Sequence, residues 1–579
     1  MNSPISSRGF DPSQAVANYP RDLVQHYQDV GYWEDRTIAE QFRAVAAAWP
    51  DRDAVATADA AITFAELDKW ADRVAYGLSE TGTPVGSPVI LQLTNRIETI
   101  VMWYALLKAG LIPVCTLAVH REHELGQISR QVGAVGHVVD GGYGSLDLVQ
   151  FGQDLAIGHP TLRTLVVVGA HTEVVDGALR FEDLGSGVEA GVARARVDSI
   201  QSTIDFTDVA VLQISGGTTG IPKVIPRLHA EYWYNAQSYA DAFGFTEQTR
   251  NGHGSPVIHN AGVVCAVHGP HSVGGCTVLA PSPEPTGYLR TLRDARATHA
   301  LIGTSNFRIN THPDFGRTVR GMQGLVLAGA TVPSALFDAI DRLGVPAGQL
   351  FGMGEGLFSV SRFSDPRLAR ATTVGNPLSP DDVIEILNVG SEVPVPDGQT
   401  GELCTAGPYT LRGYVEAGEA NVAAFTSAGL YRTGDMASWV TIDGARYLQI
   451  RGRIKDLINR GGEKVNAAEV ESLLLRHPAV TDAAVVAMPD PRLGERACAF
   501  LTGPGDHVNL DQVRQHLSAI GVAKYKWPER IEWVSQLPRT AVNKIDKKRL
   551  RVLASELADG EWNTTRGDSE SDSKTGVSQ

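Results

Sequence analysis

The sequence predicts a layered α/β fold in a large N-terminal domain that also holds a small β-barrel-like unit, followed by a smaller α+β domain. Three observations carry this. Apolar runs of strand length alternate with helical periodicity through the first half. From about Val374 to Leu448, short strands sit between Gly, Pro and Asp turns, the composition of a compact β-rich unit. Beyond "QIRGRIKDLINRGGEKVNAAEVE", two capped helices flank a strand. A chain of 579 residues also exceeds what one hydrophobic core serves, so at least two domains are expected.

The elements follow in order. "DKWADRVAYGLSE" and "ETIVMWYALLKAG" space their apolar residues as helices, the second ending at Gly110 as a C-cap. "SPVILQL", "GHVVD" and "TLRTLVVVG" read as buried strands, and such alternation makes a parallel sheet. "DVIEILN" and "GELCTAG" are the short strands of the β-rich unit. Asn466 with Glu469 forms a capping-box pattern ahead of Val470, Leu473 and Leu474, and the helix stops before Pro478. Asn509 with Gln512 repeats the device before Val513, Leu517 and Ile520, and "AAVVAM" between them is a strand. The polar end, "DGEWNTTRGDSESDSKTGVSQ", lacks apolar anchors and reads as a disordered tail.

A net charge of −14 argues against nucleic-acid or anionic-membrane partners, which are bound by basic patches. Five scattered cysteines with no C-x-x-C pair fit reduced thiols better than a disulfide framework or a zinc site. With no signal-peptide pattern and no run of about 18 apolar residues, a cytoplasmic protein is expected.

"ISGGTTGIPK" follows the strand "DVAVLQ" and packs Ser215, Gly216, Gly217, Thr218, Thr219 and Gly220 before Lys223. Backbone N–H groups and hydroxyls of such a turn can face phosphate oxygens, with Lys223 adding charge. Ile221 and Pro222 break the nucleotide-triphosphate loop pattern, and a surface turn also fits. "FGMGEG" sets Glu355 among small residues, as a hard cation near phosphates requires, or as a solvated turn carries it. "YRTGD" ends in Asp435 with Arg453 downstream; an acidic residue after a Gly turn can take ribose hydroxyls, and Asp after Gly is also ordinary turn chemistry. Lys544, in "LPRTAVNKIDKKRL", lies on a non-periodic basic segment that by itself reads as a solvated face.

In combination and in this order, "SGGTTGIPK", "FGMGEG", "YRTGD", "GRIKDLINRGGEKV" and "NKID" resemble the core motifs of adenylate-forming enzymes, the superfamily of acyl- and aryl-CoA synthetases, peptide-synthetase adenylation domains and luciferases. The resemblance covers about residues 30 to 550. "HYQDVGYWED", His259–Asn260 and "KDLINRGGEKV" resemble the stand-alone aryl-acid AMP ligases of siderophore and related pathways, of the salicylate or 2,3-dihydroxybenzoate type.

That resemblance implies a two-step ligase using ATP and Mg²⁺: an aryl acid becomes an aryl adenylate, and the acyl group then moves to the pantetheine of an aryl carrier protein or to coenzyme A. It implies an adenylating domain over 1–454, a mobile C-terminal domain over 455–555 hinged at Lys455, and the tail over 556–579. Lys544 would be the catalytic lysine and His259 the gate between acid and thiol tunnel. Glu355 would hold the metal, and Asp435 with Arg453 the ribose. Ser215 to Lys223 would embrace the outgoing phosphates. Gly329, Ala330, Gly352, Met353 and Gly354 would border nucleotide and acid.

Asn260 would hydrogen-bond an ortho-hydroxyl, and Cys265 stands where dihydroxybenzoate users tend to carry serine and salicylate users cysteine. A thiol is a weak donor and suits a ring carbon without a second hydroxyl. The family pattern is broken at Gly354 (usually Ala or Thr), Asn543 and Ala328 (often Gly), and Ala261 (usually Tyr or Phe). Loss of the ring at Ala261 enlarges the pocket toward a substituted salicylate. The readings left beside this one are an aryl-CoA ligase of aromatic catabolism, a 2,3-dihydroxybenzoate ligase, an oxidative luciferase-like relative and a non-catalytic nucleotide-binding module.

Overall fold

The computed structural model describes residues 18–558 apart from 170–176, 216–222, 330–331, 462, 506 and 541–543. The expected tail therefore lies outside the described residues from 559 onward. The chain divides into two compact units. The first takes the residues to Ile384 together with Thr405–Arg432 and Thr441–Leu448; the second takes Glu385–Cys404, Thr433–Val440 and the chain from Gln449.

Two sheets build the first unit. One has seven strands in the order 178–180, 164–168, 136–140, 88–92, 112–115, 209–214 and 224–228. Its strands run parallel except for the last pair, a hairpin. The runs "VILQ", "GHVVD" and "LVVV" are buried on both faces, which is why they read as continuous apolar stretches rather than alternating ones. The other sheet has nine strands, with 250–253, 299–303, 324–328 and 347–352 parallel at its centre. Helices cover both sheets. Helix Phe64–Ser79 starts on a capping box, Thr63 with Glu66, that satisfies its first N–H groups. Helix Ile97–Lys108 has Gly110 just past its end at φ +67°, in the left-handed region expected of a terminating glycine.

The N-terminal "HYQDVGYWED" motif has a packing role. Helix Arg21–Asp29 leads into Trp33, and Tyr19, Tyr27 and Trp33 bury their rings together. Tyr19 donates to the Thr410 carbonyl (2.6 Å) and the Trp33 indole to the Pro408 carbonyl (3.1 Å). The motif thus fixes the segment that leads into Leu411 and Tyr414.

A four-stranded sheet has the order Val383–Leu387, Gly401–Ala406, Tyr431–Ile442 and Ala445–Arg453. A five-stranded sheet follows, in which Asp482–Asp490 pairs antiparallel with Gly494–Thr502 and Arg530–Trp533 joins the latter in parallel. Helices Ala467–Leu474 and Leu510–Ala519 bury Val470, Leu474, Val513 and Leu517 in one core with Val485 and Leu501. Asn509 and Gln512 form the expected reciprocal box. At the other helix Asn466 accepts from Ala468 and Glu469 N–H, but Glu469 turns away to pair with Lys526 at 2.7 Å, because a cation within reach outcompetes a neutral N–H. All five cysteines are buried, and none forms a disulfide among the described residues. Among the described residues no helix is long and apolar enough to cross a membrane.

Candidate active site

The hairpin Val209–Ile214 / Val224–Leu228 places Ser215 and Lys223 opposite one another. Ser215 N–H donates to the Lys223 carbonyl (2.9 Å), and Lys223 N–H donates to Ser215 Oγ (3.0 Å). These two residues form the neck of the glycine-rich turn. Gly216, Gly217, Thr218, Thr219 and Gly220 lie outside the described residues. Lys223 Nζ lies 4.4 Å from the ring centroid of Tyr414, a cation–π contact that keeps the charge at the neck.

Tyr414 leads to Glu355. Its hydroxyl donates to Glu355 Oε1 at 2.8 Å and lies 2.7 Å from the hydroxyl of Tyr431. Burial, and after it the Glu355 charge, pushes both phenols well above their ordinary range, so they remain donors. The Glu355 carbonyl accepts from Leu411 N–H (2.8 Å), the residue following the segment fixed by the N-terminal aromatics. Gly356 explains part of the "FGMGEG" pattern: its φ is +126°, and a Cβ there would lie 1.8 Å from the Tyr409 carbonyl oxygen. Glu355 offers one hard oxygen donor group, and no cluster of three His, Cys, Asp or Glu suited to a metal occurs among the described residues. This donor set fits a hard cation such as Mg²⁺, which needs few protein carboxylates, and not a cation caged by protein.

Gly352 ends the strand Ala347–Gly352, and the Met353 carbonyl accepts from Asn260 Nδ2 at 3.2 Å. Gly329 follows the strand Gly324–Ala328 with φ +108°, and a Cβ there would meet Thr304 Oγ1 at 2.5 Å. Ala330 lies outside the described residues.

The acid-selecting candidates stand on a helix that is wound as a π-helix from Gly262 to His268, a form that clusters at functional sites. His259 and Ala261 are half-buried, and Asn260 and Cys265 are buried. His259 Nδ1 lies 3.4 Å from the Ala261 N–H. Cys265 has no exposed surface; burial holds its thiol far above the ordinary range, and the Tyr239 hydroxyl is its neighbour. The thiol stays protonated and is not a nucleophile.

Arg227, which no motif singled out, is the hub. Its guanidinium is buried, with 1% of the side chain exposed. It donates to both carboxylate oxygens of Glu231 (2.9 and 2.7 Å), to Asn260 Oδ1 (3.1 Å) and to the Gly354 carbonyl (3.1 Å). Burial opposes the charge on Arg227, and the Glu231 carboxylate more than offsets it. Tyr232 lies beneath the guanidinium, 4.2 Å from ring centroid to Cζ, and donates to the same Asn260 oxygen at 3.0 Å. Met353, Gly354 and Asn260 are therefore held in one hydrogen-bonded set, with Glu355 next in the chain. The sequence signal available was the i, i+4 pair of Arg227 and Glu231 at a strand-to-helix junction. Tyr414 and Tyr431 left no comparable trace.

The second unit carries the other candidates. Asp435 is 5% exposed, and Arg453 Nε pairs with its Oδ1 at 2.8 Å. Lys455 lies in a single turn, Ile454–Asp456, where burial and then the Arg453 charge lower its pKa, and its carbonyl accepts from Arg551 (3.3 Å). Lys544 is exposed, and Thr540 faces it: Thr540 N–H donates to the Lys544 carbonyl (2.7 Å), and Lys544 N–H donates to Thr540 Oγ1 (3.2 Å).

With this geometry, residues 42–415 match the family model described as "AMP-binding enzyme", and 469–544 match its C-terminal domain. The chain belongs to the AMP-binding enzyme family. A salicylyl-CoA synthase / salicylate adenylyltransferase of Streptomyces sp is 37% identical, over 96% of this chain and 99% of that protein. The 2,3-dihydroxybenzoate-AMP ligase of Bacillus subtilis (strain 168) is 34% identical, over 95% and 98%. The apo structure of MbtA from Mycobacterium smegmatis superposes with a TM-score of 0.71 at 35% identity, covering 93% of this chain and 99% of that one. This family member is an ATP-dependent adenylating ligase that works with Mg²⁺.

Proposed function

We propose that the enzyme activates salicylate or a substituted salicylate and passes the aryl group to the pantetheine thiol of an aryl carrier protein. One observation carries the reading: Arg227 donates at once to the Asn260 amide and to the Gly354 carbonyl, and so couples an acid-facing group to the residue before Glu355. The relatives named for salicylate and 2,3-dihydroxybenzoate support an ortho-hydroxylated acid.

In the first step a carboxylate oxygen attacks the α-phosphorus of ATP, the bond from that phosphorus to the bridging oxygen breaks, and pyrophosphate leaves. Both reactants are anions, so the protein must offset their repulsion and align them. Lys544 bridges the carboxylate and the α-phosphate. Ser215 and Lys223 hold the neck of the loop that takes the outgoing phosphates, and Asp435 with Arg453 takes the ribose. Glu355 would hold Mg²⁺, which when bound would offset phosphate charge. Gly329 and Met353 border the adenine and aryl sites. In the second step the thiol sulfur bonds to the acyl carbon, AMP leaves and the thiol proton is released, with His259 at the entrance. Domain 455–555 turns about Lys455 between the steps, relative to 1–454. The setting is cytoplasmic, where ATP and reduced thiols are supplied.

Coenzyme A as acceptor is the second reading, favoured by the relative named as a salicylyl-CoA synthase. The test is pyrophosphate exchange across substituted benzoates, then thioester formation with each acceptor. Exchange with salicylates and loading of carrier protein are expected; exchange with none of the benzoates would sink the reading, and thioester on coenzyme A alone would select the second.

A further inference from the structure

We propose that Arg227 and Tyr232 fix the polarity of the acid-selecting amide, so that the site takes acids carrying a hydrogen-bond acceptor ortho to the carboxylate and rejects ortho-amino acids. The inference rests on the reading of Asn260 as the residue that faces the acid.

An asparagine can present either an acceptor or a donor by turning its amide over. Here its partners each have one role. Arg227 Nη1 has no acceptor capacity, so the group 3.1 Å from it is the amide oxygen. The Met353 carbonyl can only accept, so the group 3.2 Å from it is the amide nitrogen. Tyr232 closes the remaining freedom. Gln213 Nε2 donates to the Tyr232 hydroxyl (3.1 Å) and also to the Ile258 carbonyl (3.3 Å), which orients the glutamine. The Tyr232 proton is therefore directed to Asn260 Oδ1 at 3.0 Å.

Both lone pairs of Oδ1 are then occupied, and one N–H of Nδ2 is committed to Met353. What the side chain has left for a ligand is a single N–H donor. The lock is costly to undo, because Arg227 and Glu231 are both buried and breaking either hydrogen-bonded set strands a charge. Nor does the arrangement serve only to pair Glu231, since Arg227 spends its Nη1 on Asn260 and on Gly354 and not on the carboxylate.

The chemistry of the acid follows. In an ortho-hydroxybenzoate the phenol proton is taken by the adjoining carboxylate, which leaves the oxygen lone pairs to accept from Asn260. In an ortho-aminobenzoate the nitrogen lone pair is delocalised into the ring and accepts poorly, and its N–H would face the amide N–H. A hydrophobic pocket separates two such isosteres weakly, whereas a site built on a hydrogen bond separates them strongly.

The experiment measures kcat/KM by pyrophosphate exchange with salicylate and with anthranilate, for wild type, Tyr232→Phe and Arg227→Lys. Wild type is expected to prefer salicylate by about a hundredfold or more. Tyr232→Phe keeps the ring beneath the guanidinium and should lower the preference about fivefold, through the KM of the acid and with the KM of ATP unchanged. Arg227→Lys keeps a charge for Glu231 but loses the fork, and should lower the preference further; Tyr232→Phe carries the test if that variant does not fold. Wild type using both acids within threefold overturns the inference, as do variants that lose both acids in the same proportion. Wild type exchanging with no benzoate at all removes the functional reading and this inference with it, which is a different result from salicylate activity with an unmoved ratio.

Discussion

Two buried cations in the first unit do different things with the same physics. Lys108, with no exposed surface, donates to Asp72 Oδ1 at 2.6 Å and to the Asp68 carbonyl at 3.0 Å, and Arg43 pairs with Asp72 at 2.6 Å. All these groups belong to three helices, Ile38–Ala48, Phe64–Ser79 and Ile97–Lys108, so the cluster closes on the scaffold. Arg227 is as deeply buried, but two of its hydrogen bonds leave its own strand-to-helix junction, for Asn260 at the start of another helix and for Gly354 in a turn. A charge that closes on packed scaffold helices specifies how they pack. A charge shared with the candidate site specifies where functional groups point.

The largest effect expected from breaking this contrast is on stability. Lys108→Met removes the fully buried cation shared by the Asp68 and Asp72 carboxylates, leaving them only Arg43 and Arg194, and should cost about 3–5 kcal/mol, read by denaturant unfolding. The kcat/KM of the folded fraction should stay at the wild-type value; a large change in acid KM would mean that the scaffold cluster also shapes the site. Lys544→Ala is the reverse case, an exposed lysine with a functional assignment. It should lower adenylation by about a hundredfold or more and leave stability unchanged. Thioester formation from a preformed adenylate should be much less affected, and equal loss of both half-reactions would count against the role given to Lys544.

A third buried charge has neutral partners. Asp382 accepts from the Tyr409 hydroxyl and the Ser379 N–H, while its Oδ1 is shielded from solvent without a hydrogen bond. Burial raises its pKa from 3.8 to about 7. The folded state therefore holds this proton where the unfolded state has released it. Stability should fall as pH rises from about 4 to about 7, at about 1.4 kcal/mol per pH unit at the steepest, and be flat in this group outside that window. Asp382→Asn should remove that slope from a series of melts, and a slope that persists unchanged assigns it elsewhere. The smallest effect is at Cys265. Cys265→Ser should move the ratio of kcat/KM by about threefold toward 2,3-dihydroxybenzoate over salicylate, since a hydroxyl donates where a thiol barely does. An unmoved ratio would make Cys265 a packing residue only.

The sequence made the motif carriers legible because each is local. The glycine-rich stretch from Ser215 to Lys223 and the caps at Asn466 and Asn509 follow from residues within a few positions, whereas the Tyr409 carbonyl that demands glycine at Gly356 comes from a distant segment. Glu469 was misread as half of a capping box because its competitor, Lys526, is 57 residues away. Arg227 escaped for the same reason on a larger scale: its bonds to Asn260 and Gly354 span 33 and 127 positions. The tyrosine pair beside Glu355 spans 59 from Tyr414 to the carboxylate.

By itself, then, the sequence determined the layered α/β class, the adenylating family and the order of its motifs, because periodicity, turn chemistry and spacing are properties of neighbours along a chain. Only the tertiary structure decided which donors surround Asn260 and which hydroxyls surround Glu355. Hydrogen-bond polarity depends on groups brought together from distant segments, and the side chains that supply it, Arg227, Tyr232 and Tyr414, look in one dimension like any other residues of a strand, a helix and a loop.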